Sequence, residues 1–482
     1  MKRTCVLGID LGTSALKVVA VSHQGRVLAT AREPYETITN SEGQAEQRCE
    51  DWLRALARAA SKINSRGKLQ IEAIGITGQM PTLVVLSGTK PLGRAITWQD
   101  SRADSWTSQQ LNKELRADIY RRTGVILDGR YLAPMFAFHH ARQTNKFLSA
   151  KDFLFLALTG VFATDPSTAS GYGLYNLKAN SWDADLCSLW KISLDQLPSL
   201  TSSLRSQPLS KSGCRMVRCA AGTPVFIGCA DSAAGVYALA GTAPQTDAVY
   251  ILTGSSTVII KCDSNAHWDE HGRYLVTPLV TERTYAREAD LLASGSAREW
   301  AENLFDLKSK SKRRSFWAAA HKLDPGAGGL LFAPYLAGGE QGVLWNPDLK
   351  GRLIGLTCAH RPAHIARALL EGMAFEIRRC VEVFEDKPIT SVRIAGWITQ
   401  STPGLQILTD ILGKPLHAVK LESASAMGAA LLTGSVRLGK GFANAKTVIL
   451  KPTAHTHLYS ELYARYVSEF PARYPGQKAA IL

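Results

Sequence analysis

Apolar residues fill positions 5–9, give way to Asp10, and resume at Ala15 after the small-residue turn Leu11-Gly12-Thr13-Ser14. His23-Gln24-Gly25 then turns the chain into a third apolar run. Short apolar runs separated by turn residues predict a β-meander. The same layout returns at residues 247–262, where two apolar runs flank Thr253-Gly254-Ser255-Ser256. Two such hairpins, one per half, predict a duplicated α/β domain pair closing on a nucleotide. Between them, residues 42–66 predict a polar turn and an amphipathic helix around Trp52. Residues 71–86 read as strand, loop and strand. Helices are expected at 136–143 and from Lys151 to the Thr159-Gly160 stop. A strand at 224–227 delivers Asp231 to the start of an Ala/Gly-rich helix. The second half predicts a helix through Trp300, a long helix at 361–383, a strand at 389–395, and helices at 405–412 and 424–437.

Length and composition agree with this plan. A chain of 482 residues holds two or three domains, and 45% apolar against 20% charged residues marks it as globular. The formal net charge is +15, spread along the chain apart from the dense run of residues 308–314. That run, ahead of Phe316 and Trp317, reads as a solvated loop or helix face. No nucleic-acid motif accompanies it, whereas an anionic nucleotide sits easily with the positive balance. The nine scattered cysteines contain no C-x-x-C and read as buried thiols of a reducing compartment. No stretch reads as a signal peptide or membrane span, so a cytoplasmic protein is expected. Zinc spacing, a strand–G-x-G-x-x-G–helix unit, a Walker A lysine and a G-x-S-x-G elbow are all missing from the sequence.

Candidate chemistry falls in the turns. Gly12 lets backbone N–H groups approach a ligand, Thr13 and Ser14 add hydroxyls, and Asp10 offers a carboxylate to a metal ion or its waters. Backbone donors beside a carboxylate suit a magnesium–phosphate complex; an ordinary tight hairpin with a turn Asp is the competing reading. Gln79 and Met80 follow one strand, and Trp98, Asp100 and Arg102 follow another. Such residues supply donors, acceptors and a ring face to a sugar, or else cap their own loops. Asp231 is equally placed to be a helix cap or a general base facing a cleft.

Taken together, these stretches resemble the FGGY carbohydrate kinases, most closely the xylulokinase-like branch, over nearly the whole chain. Residues 8–14, Gly-Ile-Asp-Leu-Gly-Thr-Ser, resemble that family's first phosphate hairpin. Gly78-Gln79-Met80 and residues 98–102 resemble its sugar loops. Lys151-Asp152-Phe153-Leu154 with Thr164-Asp165 resembles its N-domain signature. The most specific stretch starts at Tyr335-Leu336-Ala337-Gly338-Gly339-Glu340. It continues through Trp345-Asn346-Pro347, His364, Arg367 and Leu370-Glu371-Gly372-Met373-Ala374-Phe375.

The resemblance implies two duplicated ribonuclease-H-like domains of the actin/Hsp70 type, with a nucleotide and sugar cleft between them. It implies a sugar-binding and catalytic domain at 1–245, a nucleotide-binding domain at 246–440 and a tail at 441–482. It implies ATP and Mg²⁺ as cofactors and a small sugar as substrate, best matched by D-xylulose. D-Ribulose, glycerol, gluconate and sedoheptulose are the alternatives, as is a non-catalytic relative. Asp231 falls at the catalytic aspartate, and Asp10 at the metal-orienting carboxylate. Gly12, Thr13, Ser14, Thr253, Gly254, Ser255 and Ser256 fall at the phosphate turns. Gln79, Met80, Trp98, Asp100 and Arg102 fall around the sugar, and Gly396, Thr399 and Met427 around the adenosine. Neither nucleic acid nor membrane is an expected partner, and a homodimer is left open. The sequence departs from the family's pattern at Pro81, where a sugar-contacting His is usual, and at Trp397 and Ile398, where glycines are usual.

Overall fold

The computed structural model describes residues 2–65, 67–140, 145–241, 244–337, 340–436 and 447–471. Residues 141–143 of one expected helix lie outside that range, as do Gly338, Gly339 and Arg437. So do residues 441–446 and 472–482 of the expected tail.

The first meander forms from Arg3–Leu11, Ala15–Val21 and Val27–Pro34, paired antiparallel. Leu69–Gly78 then runs parallel to the first of these strands, and Pro224–Ala230 runs parallel beside it. The second half repeats this order. Ala248–Thr253, Thr257–Asp263 and Tyr285–Leu291 form an antiparallel meander. Ser391–Gly396 and Leu416–Val419 add in parallel on the other side of Ala248–Thr253. Each sheet thus contains a three-strand meander joined to two parallel strands, with antiparallel strands added at the edges, Ser206–Pro208 in the first and Leu275–Pro278 and Thr447–Leu450 in the second, and the two turn sequences occupy matching places. The protein is a two-domain α/β fold built on two mixed sheets.

Covering of both sheet faces explains the continuous apolar runs, since a strand hidden on both sides has no polar side to alternate with. Cys5, Leu7 and Ile9 pack with Trp52 and Leu56 of the helix Cys49–Ile63. Val6 packs on the opposite face with Ala426, Met427 and Ala430. Those last residues belong to the helix Ala424–Leu432, which comes from the second half of the chain yet lies on the first sheet. Contact there is tight: a Cβ on Gly8 would sit 1.9 Å from the Ala426 carbonyl oxygen.

An inserted sheet, containing Thr82–Ser87 and Ala95–Thr97, carries the loops of Gln79 and Trp98 to the edge of the cleft. Some expected elements differ in extent. The helix expected over 424–437 stops at Leu432, with Thr433 as its C-cap. The basic run enters the helix Lys310–His321, whose lysines are exposed and whose Trp317 is buried. All nine cysteines are free thiols. Among the described residues no helix is long and apolar enough to cross a membrane.

Candidate active site

The two hairpin turns face each other across a cleft of two joined chambers. The larger, about 380 Å³, is lined by Asp10, Gly12, Thr13 and Ser14 from the first domain. Thr253, Gly254, Ser255 and Ser256 line it from the second, and Gly396 and Trp397 close one end. The smaller, about 140 Å³, is lined by Gln79, Met80, Pro81 and Trp98, with Asp128, Arg130, Glu288, Asp290 and Gln341 on its other walls. Thr13, Trp98, Asp231 and Ser256 border both. Asp231 therefore stands where the chambers meet.

Local bonding shapes each turn. In the first, Gly12 accepts a hydrogen bond from the Tyr35 hydroxyl through its carbonyl. Trp98 Nε1 donates to Thr13 Oγ1 at 3.1 Å, and Gln47 Nε2 to the Thr13 carbonyl at 2.6 Å. In the second, Gly254 N donates to the Ser256 carbonyl at 2.8 Å, and Ser294 N to the Ser255 carbonyl at 3.0 Å. Thr253 Oγ1 donates to the Ala395 carbonyl at 3.0 Å, which fastens this turn to the loop carrying Gly396 and Trp397.

Asp231 opens the helix Asp231–Ala240 at the end of the strand Pro224–Ala230. That strand end is held by three side chains from elsewhere. Lys151 Nζ donates to the Ile227 carbonyl at 3.1 Å, Thr77 Oγ1 to the Cys229 carbonyl at 2.7 Å, and Ala230 N donates to Ser167 Oγ at 3.0 Å. Lys151 is itself buried and paired with Asp152 at 2.7 Å and Asp165 at 3.0 Å. The Asp231 carboxylate accepts from Ser232 N at 2.9 Å. Burial first, then Asp10 and Glu288, push it up to about 7, against the pull of the Ser232 amide and Lys17. A carboxyl held near neutrality in a cleft is poised for proton transfer.

Asp10 is 3% exposed. Its Oδ2 accepts from Lys17 Nζ at 3.2 Å and from Ser423 Oγ at 3.4 Å. Its Oδ1 is buried with no partner among the described residues. The described residues contain no cluster of three His, Cys, Asp or Glu able to hold a metal ion. One free carboxylate oxygen beside a phosphate-sized chamber fits Mg²⁺, which keeps most of its waters and takes its other ligands from phosphates.

Other residues singled out from the sequence lie off the cleft walls. Asp100 and Arg102 pair with each other, Nη2 to Oδ2 at 2.6 Å. Asp100 also accepts from Ala45 N at 2.9 Å, and Arg102 reaches Glu46 at 2.7 Å. Neither lines a chamber; they brace the inserted sheet. Thr399 is buried and donates to the Gly396 carbonyl at 2.8 Å, supporting the loop from behind. Met427 is buried against Val6, Val19 and Val21 in the core between helix and sheet. Sequence reasoning missed Asp128, Arg130, Glu288, Asp290 and Gln341. One signal was available: in Tyr285–Leu291, alternation places Glu288 and Asp290 on one face of an interior strand, a costly arrangement unless that face borders a cavity.

Opposed glycine- and hydroxyl-bearing turns, an aspartate with a raised pKa between two chambers, and a carboxylate oxygen without a partner among the described residues suit a phosphotransferase cleft. Family comparison gives the same class. Residues 5–238 match the N-terminal domain of the FGGY family of carbohydrate kinases, and residues 249–435 match its C-terminal domain. The chain belongs to that family and is an ATP-dependent carbohydrate kinase, a phosphotransferase with an alcohol group as acceptor. It is 29% identical over 446 residues to the xylulose kinase of Bacillus subtilis (strain 168), covering 89% of this chain and 87% of that protein. It is 27% identical over 451 residues to the gluconokinase of the same strain, covering 89% and 86%. Its fold matches the crystal structure of gluconate kinase from Lactobacillus acidophilus with a TM-score of 0.87 at 24% identity, over 97% of this chain and 98% of that one.

Proposed function

We propose that the protein transfers the γ-phosphoryl group of ATP to a primary hydroxyl of a ketopentose, with D-xylulose the first substrate to test. The observation that carries this reading is the placement of Asp231 on the shared wall of the two chambers. A hydroxyl in the smaller chamber and a phosphate chain in the larger one can approach each other there, and Asp231 is the one carboxylate among the residues that border both.

In this mechanism the acceptor hydroxyl gives its proton to the Asp231 carboxylate as its oxygen bonds to the γ-phosphorus. The bond from the γ-phosphorus to the bridging oxygen breaks, and ADP leaves. Phosphoryl transfer relies mainly on positioning and charge stabilisation. The two turns, Gly12-Thr13-Ser14 and Thr253-Gly254-Ser255-Ser256, hold the phosphates from opposite sides. Gln79, Met80 and Trp98 orient the sugar. Asp10 would hold Mg²⁺, which would supply charge neutralisation to the phosphates. Lys17, whose ammonium is favoured by the adjoining Asp10, borders the same chamber and adds positive charge. The 29% identity to a xylulose kinase supports the ketopentose. Pro81 borders the sugar chamber at the position of the family's usual His, so D-ribulose belongs in the same test.

The test is ADP release from Mg²⁺–ATP with D-xylulose, D-ribulose, their L-isomers, glycerol, gluconate and sedoheptulose. A ketopentose is expected to raise ADP release most. A larger response to any other compound overturns the ketopentose assignment, and ADP release indifferent to every acceptor overturns the kinase mechanism.

A further inference from the structure

The smaller chamber has a second-domain wall that phosphoryl transfer itself does not require. Glu288 and Asp290 project from one face of Tyr285–Leu291, opposite Gln79 and Trp98 of the first domain. Glu288 is steadied by Thr277, whose hydroxyl donates to Oε2 at 3.0 Å. Asp128 and Asp231 complete a lining with four carboxyl groups, against the single guanidinium of Arg130 among the described lining residues. That guanidinium is already engaged. Its Nε donates to Asp128 Oδ2 at 3.0 Å, and its Nη1 donates to the amide oxygen of Gln341 at 3.1 Å.

Two acceptors on these walls have no donor among the described residues. One is Asp290 Oδ1, and the other is Gln79 Oε1. Gln79 is 1% exposed, and its amide orientation is fixed by a chain of bonds. Its Nε2 donates to Gln47 Oε1 at 2.9 Å, an oxygen that also accepts from Trp52 Nε1 at 3.0 Å. Gln47 Nε2 is committed to the Thr13 carbonyl at 2.6 Å and Thr37 Oγ1 at 2.7 Å. Turning Gln79 over would break this chain, so it is the oxygen that stays without a donor, on a residue that lines the chamber. A buried acceptor without a donor is costly, and the ligand must bring the donor.

We infer that Asp290 is a specificity-determining residue, which with Gln79 selects an uncharged polyhydroxy acceptor and rejects sugar acids. This rests on the assignment of the smaller chamber to the phosphoryl acceptor. A neutral polyol brings hydroxyl donors to Asp290 on one domain and Gln79 on the other. An ionised sugar acid replaces a donor hydroxyl with further acceptors, on walls whose unpartnered atoms are already acceptors, and burying its charge beside four carboxyl groups is costly. Burial raises Glu288 and Asp290 above the usual carboxyl range, and the neighbouring Glu288 and Asp231 raise Asp290 further. One polyol touching both walls also links the two domains, so the acceptor itself favours the closed cleft.

The experiment has two readouts on the full chain. Calorimetry without nucleotide measures binding of D-xylulose, xylitol and D-gluconate to the wild type, Asp290→Asn and Asp290→Leu. Steady-state assays with ATP then separate KM from kcat. The wild type is expected to bind a neutral compound at least tenfold tighter than gluconate. Asp290→Leu is expected to raise KM for the neutral acceptor at least tenfold while kcat changes less than threefold. Asp290→Asn, which stays isosteric if the Leu variant fails to fold, is expected to narrow the gap between neutral compound and gluconate. Gluconate binding as tightly as either neutral compound overturns the inference, as does an unchanged KM in a folded Asp290 variant. Turnover of glycerol or another neutral polyol in place of a ketopentose overturns the ketopentose reading and leaves this inference standing. Turnover of gluconate does the reverse to the kinase mechanism and the inference: the first stands and the second falls.

Discussion

Gly428 and Ala234 meet backbone to backbone: a Cβ on Gly428 would lie 1.8 Å from the Ala234 carbonyl oxygen. They belong to Ala424–Leu432 and Asp231–Ala240, helices contributed by different halves of the chain. The second of these begins with the proposed base, so the closeness of the two helices sets where Asp231 stands in the cleft. Gly428→Val is expected to force them apart, at a cost of roughly 1–3 kcal/mol for an overpacked core. Urea denaturation should show the loss, and kcat should fall with it. A variant as stable and as active as the wild type would show that the contact is unimportant.

A base must be ionised to accept a proton, and burial holds Asp231 up to about 7. In the free enzyme, kcat/KM for the acceptor should rise about tenfold per pH unit below pH 7 and level off above it. Asp231→Asn should lower kcat by about 10²–10⁴-fold, the range for one general acid or base, and abolish the pH dependence. Nucleotide affinity should stay close to that of the wild type. A flat wild-type profile from pH 5.5 to 8 would remove Asp231 from the proton transfer.

Lys151 anchors Ile227, four residues before Asp231, while neutralising Asp152 and Asp165 in the interior. Lys151→Met removes the ammonium and leaves two carboxyl groups in a place water does not reach. Breaking a buried pair from one side costs about 3–5 kcal/mol. A loss of that size in chemical denaturation is expected. Stability within measurement error of the wild type would show that the carboxyl groups find other partners.

Trp397 borders the larger chamber, proposed to hold the nucleotide, and lies 5.5 Å from the Arg298 guanidinium, ring centre to charge. Its indole nitrogen is buried with no partner among the described residues. ADP is expected to change the tryptophan emission of the wild type, and most of that change should vanish in Trp397→Phe. Emission changes caused by the sugar should persist in that variant, because Trp98, which borders both chambers, is retained. An unaltered ADP response would place the adenosine away from this ring.

How far the sequence was legible depended on the range of the interactions involved. The two hairpin turns were readable because a hairpin is a local object: apolar runs on both sides and small hydroxyl residues between them suffice. Asp231 was readable as a position, at the end of a strand and the head of a helix, although its raised pKa comes from burial in the folded cleft and then from Asp10 and Glu288, both distant in sequence. The acceptor chamber was only half readable. Gln79 and Trp98 follow strands that sequence pattern locates. Arg130, Asp290 and Gln341 come from three separate segments that only the packed domains bring together. Asp100 and Arg102 have the right chemistry for a sugar, but a partner two residues away satisfies each before any ligand can. Met427 lies near the nucleotide loop in sequence, yet its helix turns the side chain into the apolar core.

The helix Ala424–Leu432 has a consequence for how this duplicated molecule can be divided. Cut at the sequence midpoint, the amino-terminal piece would lose the cover over Val6, Val19, Val21 and Ala73. That face would then be a bare apolar patch prone to aggregation. In return, Ala233, Val236 and Leu239 from the first half pack with Ala248 and Tyr250 of the second sheet, so gene fragments encoding the halves should yield stable protein only when made together. Heat or urea should melt the repeated domains in one transition instead of two.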